Sequence, residues 1–166
     1  MKENSMNRRK YIFGALTLIW VAVIFGFSLQ PAEISDGMSI SFLQKIVKLF
    51  MPWLLDDLER LAPEKLILLN FIVRKCAHFT EYFILGVLST VTVQYMAWTH
   101  RWACGLGFCV AIACLDECLQ LFVSGRSGKV IDVLIDSAGA LVGILIVYLV
   151  VRVISGYKNK SIDLVV

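Results

Sequence analysis

Hydrophobic and polar positions fall in long blocks along this chain, unlike the short alternations of a soluble domain. Tyr11 to Leu29 gives 19 residues without a charge, and Tyr82 to Trp98 gives 17 more. Both lengths approach the roughly 20 apolar residues that a helix needs to cross a ~30 Å hydrocarbon core. Trp102 to Leu115 offers 14 uncharged residues, and Val133 to Val151 is interrupted by Asp136. These two blocks also span a bilayer if their acids lie near one end. The pattern predicts an all-α polytopic membrane protein forming one domain over residues 1–166, with four transmembrane helices at about 11–29, 74–98, 102–123 and 131–152.

The connection over 30–73 is the long one, and it also carries a helical pattern. Phe42, Leu43, Ile46, Val47, Leu49 and Phe50 recur at helical spacing with Lys45 and Lys48 opposite, and Pro52 ends the run. Such a segment either lies on the outer membrane surface or packs as a lid on the spans. Pro63 followed by Glu64 predicts a helix start, because proline suits the first turn and an acid suits the positive end. A helix from there to Trp98 exceeds one perpendicular span, so its first turns are expected to project or bend.

Composition supports the membrane reading: 58% of residues are hydrophobic and 17% charged, with mean hydropathy +0.76. A soluble domain is excluded, and no nucleic-acid partner is expected. Arg8, Arg9 and Lys10 abut the first span, whereas the 15 residues after Leu29 hold Glu33 and Asp36 and no Lys or Arg. The positive-inside rule then places both termini in the cytoplasm. Ser28-Leu29-Gln30-Pro31 lacks a small-x-small cleavage pattern, so the first span is expected to stay as an anchor. Trp residues, Trp98 among them, read as interface anchors. The five cysteines lie in or beside spans and read as packing residues.

Against this apolar background, His78, Glu81, Asp116, Glu117, Asp132 and Asp136 stand out. A charge at mid-bilayer costs at least ~2.5 to 3.5 kcal/mol, and intramembrane ionisable residues mark functional sites by default. At 1.5 Å per residue, His78, Glu81, Asp116 and Asp136 fall roughly 6 to 10 Å below the outer boundary, in one layer. Facing agrees with depth. Arg74, His78, Glu81, Tyr82, Leu85 and Ser89 share one helical face; Gly105, Cys109, Ala113, Asp116 and Gln120 share another; Asp132, Asp136, Gly139 and Gly143 share a third. Gly139-x-x-x-Gly143 is the small-residue spacing that lets membrane helices approach closely. The expected ligand-binding set is Arg74, Lys75, His78, Glu81, Tyr82, Asp116, Glu117, Gln120, Arg126, Asp132 and Asp136, around a polar cavity that opens outward, with Lys129 also at its rim. A purely architectural role stays open, in which ion pairs hold three helices together and Arg126 folds back onto Asp116 or Asp132.

His78-x-x-Glu81 puts an imidazole and a carboxylate on one face, but zinc sites usually carry more His or Cys, and di-metal bundles repeat Glu-x-x-His. No metal and no cofactor is therefore expected. Acid/base chemistry would draw on His78, Glu81, Asp116 and Glu117, without a nucleophile motif beside them.

Two stretches, Arg74-Lys75-Cys76-Ala77-His78-Phe79-Thr80-Glu81-Tyr82-Phe83-Ile84-Leu85-Gly86 and Asp116-Glu117-x-x-Gln120-x-Phe122 through Gly125-Arg126, Asp132-Val133-Leu134-Ile135-Asp136 and Gly139-Ala140-x-x-Gly143, together resemble the VanZ-like membrane proteins. The resemblance runs from Phe13 to Leu149 and includes Phe27-Ser28-Leu29-Gln30-Pro31. It implies a multi-pass protein of the bacterial plasma membrane, linked through its founding member to teicoplanin resistance, and implies no established reaction. Three functions follow. The first is binding of a membrane lipid or lipid-linked cell-wall intermediate, with an effect on lipoglycopeptide susceptibility. An enzyme cleaving or transferring a group on such a lipid is the alternative, and a proton-coupled carrier ranks last. Oligomeric state is left open.

Overall fold

A backbone removed from water must satisfy its N–H and C=O groups within its own segment, and so each long apolar block becomes a helix. The computed structural model describes residues 2–95 and 100–163. Among them the elements are α1 (Lys2–Ser28), α2 (Ala32–Phe50), a 3-10 turn (Pro52–Leu54), α3 (Leu55–Glu59), α4 (Pro63–Gln94), α5 (Arg101–Gln120) and α6 (Val130–Asp163), with no strand. Four stretches are long and apolar enough to cross a membrane: Asn7–Ser28, Pro63–Gln94, Trp102–Gln120 and Val130–Ser155. The protein is a multi-pass membrane protein. The expected end of the second span at Trp98, and the interface position expected of that residue, lie outside the described residues.

Local chemistry sets the helix ends. Pro63 occupies the first turn of α4 with Glu64 beside it, and the helix runs 32 residues, about 48 Å at 1.5 Å per residue. It begins at the start that Pro63 and Glu64 predict, eleven residues before the expected span at 74, and it exceeds the ~30 Å core on its own. α5 stops at Gln120, three residues before the expected 123, because the chain turns there: Gly125 sits at φ 72°, which costs glycine nothing and a β-carbon much. α2 starts after Pro31 with Glu33 in its first turn and Lys48 in its last, each complementing the helix dipole. Pro52 opens the 3-10 turn, so the helical run ends where proline was expected to end it.

α4 is the central helix and packs against α1, α2, α5 and α6. Its contact with α6 is set by glycine. A β-carbon on Gly86 would lie 2.3 Å from the Ala140 carbonyl oxygen; on Gly139, 2.3 Å from that of Phe79; on Gly143, 2.3 Å from that of Phe83. The two backbones thus touch over two turns. α1 docks on α4 through a Thr17–Thr92 hydroxyl pair at 2.9 Å and through Trp20 Nε1, which donates to the Glu81 carbonyl at 2.9 Å. Phe13 stacks on Tyr95, and Trp102 meets Tyr148 edge to face, closing the opposite end. The outward faces carry exposed Leu, Ile, Val and Phe, as a lipid-facing surface requires. The cysteines are free thiols, with buried Cys109 3.3 Å from the Ser89 hydroxyl.

Replacing Gly86 with Ala should lower stability to SDS unfolding by about 1–3 kcal/mol, because backbone must move to admit the methyl. Gly107→Ala, with nothing within 4 Å, should change it by about 0.5 kcal/mol at most. Equal effects at the two sites would contradict the backbone contact.

Candidate functional site

The end of α1, the middle of α4, the end of α5 and the start of α6 lie together, joined by the Ser28–Asp116, Gln120–Glu117 and Lys75–Asp132 contacts. On α4, Tyr82, Leu85 and Ser89 are buried; on α5, Gly105, Cys109, Ala113, Asp116 and Gln120; on α6, Asp132, Asp136, Gly139 and Gly143. The three faces expected from helical spacing are the three faces that meet.

The charges sort into two groups. Some are closed off by partners. Lys75 pairs with Asp132 across the α4–α6 contact and lies over the Phe71 ring, and Arg74 pairs with Asp36 of α2 at 2.9 Å. Glu117 accepts from Gln120 Nε2 at 3.1 Å and from the Lys129 backbone N–H at 2.7 Å. Asp116 Oδ2 accepts from the Ser28 hydroxyl at 2.8 Å and from Gln120 Nε2 at 3.3 Å. Other atoms are buried and unpartnered among the described residues: Asp116 Oδ1, both oxygens of Asp136, His78 Nδ1, the Tyr82 hydroxyl and Arg126 Nε. His78 Nδ1 lies 3.6 Å from Asp136 Oδ1, outside hydrogen-bond range.

Beside this layer is a cavity of about 500 Å³ between α1, α2 and α4. Trp20, Phe27, Met38, Phe42, Ile72 and Ile84 make much of its wall, and Arg74, His78, Glu81 and Arg126 bring charge to it. α2 covers it with Ser35, Met38, Ser39 and Phe42. Of the two roles expected for the amphipathic segment, the lid describes its placement, although none of its residues is buried.

Some expected contacts differ. Arg126 does not bond Asp116 or Asp132; its Nη2 donates to the Phe27 carbonyl at 3.2 Å. Lys75, one turn before the layer's centre, reaches Asp132 first. Burial pulls the Arg126 guanidinium below its ordinary pKa, and Arg74 adds to this while Asp116, Asp36 and Glu117 oppose it; an arginine remains charged throughout. His78 is grouped with Asp116 and Asp136. Sequence reasoning missed Ser28 and Asp36. Ser28 stood within a stretch carrying the family resemblance, which was its one signal; Asp36 had none.

The VanZ/LLP1 model matches residues 13–151, from within α1 to within α6. The chain belongs to the VanZ/LLP1 family. No curated protein and no solved structure matches it. The VanZ/LLP1 match includes all eleven residues expected to bind ligand, along with Ser28 and Asp36.

Ser28→Ala should destabilise the protein by about 1–3 kcal/mol, because buried Asp116 loses a donor. Asp36→Asn should cost about 1 kcal/mol or less, since its half-exposed pair is screened by solvent. SDS unfolding of both variants checks the order, and the reverse order would refute the assignment of Asp116 as the buried partner.

Proposed function

We propose that the protein binds a membrane amphiphile in the cavity beneath α2, as a lipid or lipid-linked cell-wall intermediate whose head group meets the charged layer. The carrying observation is the cavity itself: about 500 Å³, mainly apolar walls, and Arg74, Arg126, His78 and Glu81 gathered along it. Ligand pockets have this build, with apolar walls for bulk and a few polar groups for orientation. Arg126 already bonds a backbone carbonyl with one nitrogen and keeps another buried and unpartnered, so it is suited to meet a phosphate. Arg8, Arg9 and Lys10 before the first span favour cytoplasmic termini. The cavity then opens on the outer leaflet of a bacterial plasma membrane. Occupancy by a cell-wall intermediate would alter how lipoglycopeptides such as teicoplanin act there.

A second reading has one observation in its favour. His78 lines the cavity with Asp136 3.6 Å behind its ring, an arrangement suited to proton transfer on a bound lipid. It predicts a chemically altered lipid, where binding alone predicts an unchanged one.

Lipids co-purified with the full chain in mild detergent, analysed by mass spectrometry, test the binding. Ser39→Trp, which fills the cavity, and Arg126→Ala should each lower retained lipid at least tenfold. Retention equal to the unmodified chain in both variants, with normal expression, would refute it.

A further inference from the structure

We propose that His78, Asp116 and Asp136 form a binding site for one first-row divalent cation, manganese or zinc. One ligating atom from each lies within 4.8 Å of the others, and the three come from three different helices. Acids crowded together are not in themselves a site, and the argument rests on how these three are partnered. The Asp136 side chain is 0% exposed, yet among the described residues neither of its oxygens has a hydrogen-bond partner. Buried carboxylates in proteins are bonded or coordinated. Of the cations nearby, Lys75 pairs with Asp132 and Arg74 with Asp36, while Arg126 bonds the Phe27 carbonyl and neither Asp116 nor Asp136.

Asp116 is arranged as a metal ligand usually is. Its Oδ2 is held by Ser28 and Gln120 while Oδ1 stays free on the other side, and outer hydrogen bonds of this kind fix the direction of a coordinating carboxylate. His78 Nδ1 is free as well, and its 3.6 Å separation from Asp136 Oδ1 is too long for a hydrogen bond. It is close to the edge between two ligands bonded at ~2.1 Å, about 3.4 Å around a tetrahedral zinc and about 3.0 Å around an octahedral manganese. One imidazole nitrogen with two carboxylate oxygens suits manganese or zinc better than calcium or magnesium. Three protein ligands leave a coordination position open, and His78 puts the site at the wall of the cavity.

The site requires no lipid, so it stands or falls separately from the binding proposed above. The full chain in detergent, stripped with chelator and dialysed against Mn²⁺, should retain about one equivalent by elemental analysis. Mn²⁺ avoids thiolates, which keeps the five free cysteines from competing. Asp136→Asn and His78→Ala should each weaken retention at least tenfold, and Asp36→Asn should leave it unchanged. The chain has two histidines, so a variant carrying His100→Gln should still show imidazole nitrogen coupling to Mn²⁺ by pulsed electron paramagnetic resonance, a readout that does not depend on the fold of the triad variants. No retained Mn²⁺, retention in Asp136→Asn and His78→Ala equal to that of the unmodified chain, or absence of the nitrogen coupling would overturn the proposal.

Discussion

The backbone contact between α4 and α6 is the constraint on which the site depends. Lipid tails are as apolar as the helices they surround, so membrane helices associate through close packing and polar contacts in place of a hydrophobic drive. Gly86, Gly139 and Gly143 remove the three β-carbons that would otherwise hold the two helices apart, and each glycine faces a carbonyl oxygen of the other helix. That fit permits one register. In it Lys75 reaches Asp132, and His78 lies against Asp136; a shift of one residue would turn these side chains by about 100° to another face. The glycine packing thus dictates which charges meet within one to two turns of it.

The contact brings five acids into a water-poor layer that supplies too few cations for them. Part of the resulting cost is removed locally. Lys75 neutralises Asp132, the Lys129 backbone and Gln120 hold Glu117, and Ser28 with Gln120 hold one oxygen of Asp116. α1 is more than an anchor in this arrangement, since Ser28, the Phe27 carbonyl and Trp20 all bond into the layer or its edge. What is left over, at Asp136, His78 and the free oxygen of Asp116, sits beside a cavity that α2 covers. The layer both holds the helices and keeps polar atoms without hydrogen-bond partners among the described residues.

Much of this was legible in the sequence because helical periodicity is a strong signal in an apolar chain. The period placed Asp116 with Gln120 and Asp132 with Asp136, and Gly139-x-x-x-Gly143 marked the tight contact. Periodicity gives the face of each helix but not which neighbour that face meets. For that reason the architectural alternative sets Arg126 on an acid, whereas it bonds the Phe27 carbonyl, an acceptor that every residue carries and no side-chain pattern reveals. Ser28 and Asp36 were missed for a related reason: each contacts a residue at least 38 positions away, through turns whose geometry the local sequence does not encode. Local spacing shows the His78-x-x-Glu81 pair, whereas His78, Asp116 and Asp136 are brought together from three helices.

A charge-swap double-mutant cycle at Lys75 and Asp132 tests the α4–α6 register most directly. Lys75→Asp and Asp132→Lys should each destabilise the protein to SDS unfolding by about 3 kcal/mol or more, because each leaves like charges facing in a largely buried place. Combined, they should restore most of that loss, giving a coupling energy above about 1.5 kcal/mol. Additive losses in the double variant would mean that the two residues do not face one another, and the register that assembles the site would be wrong.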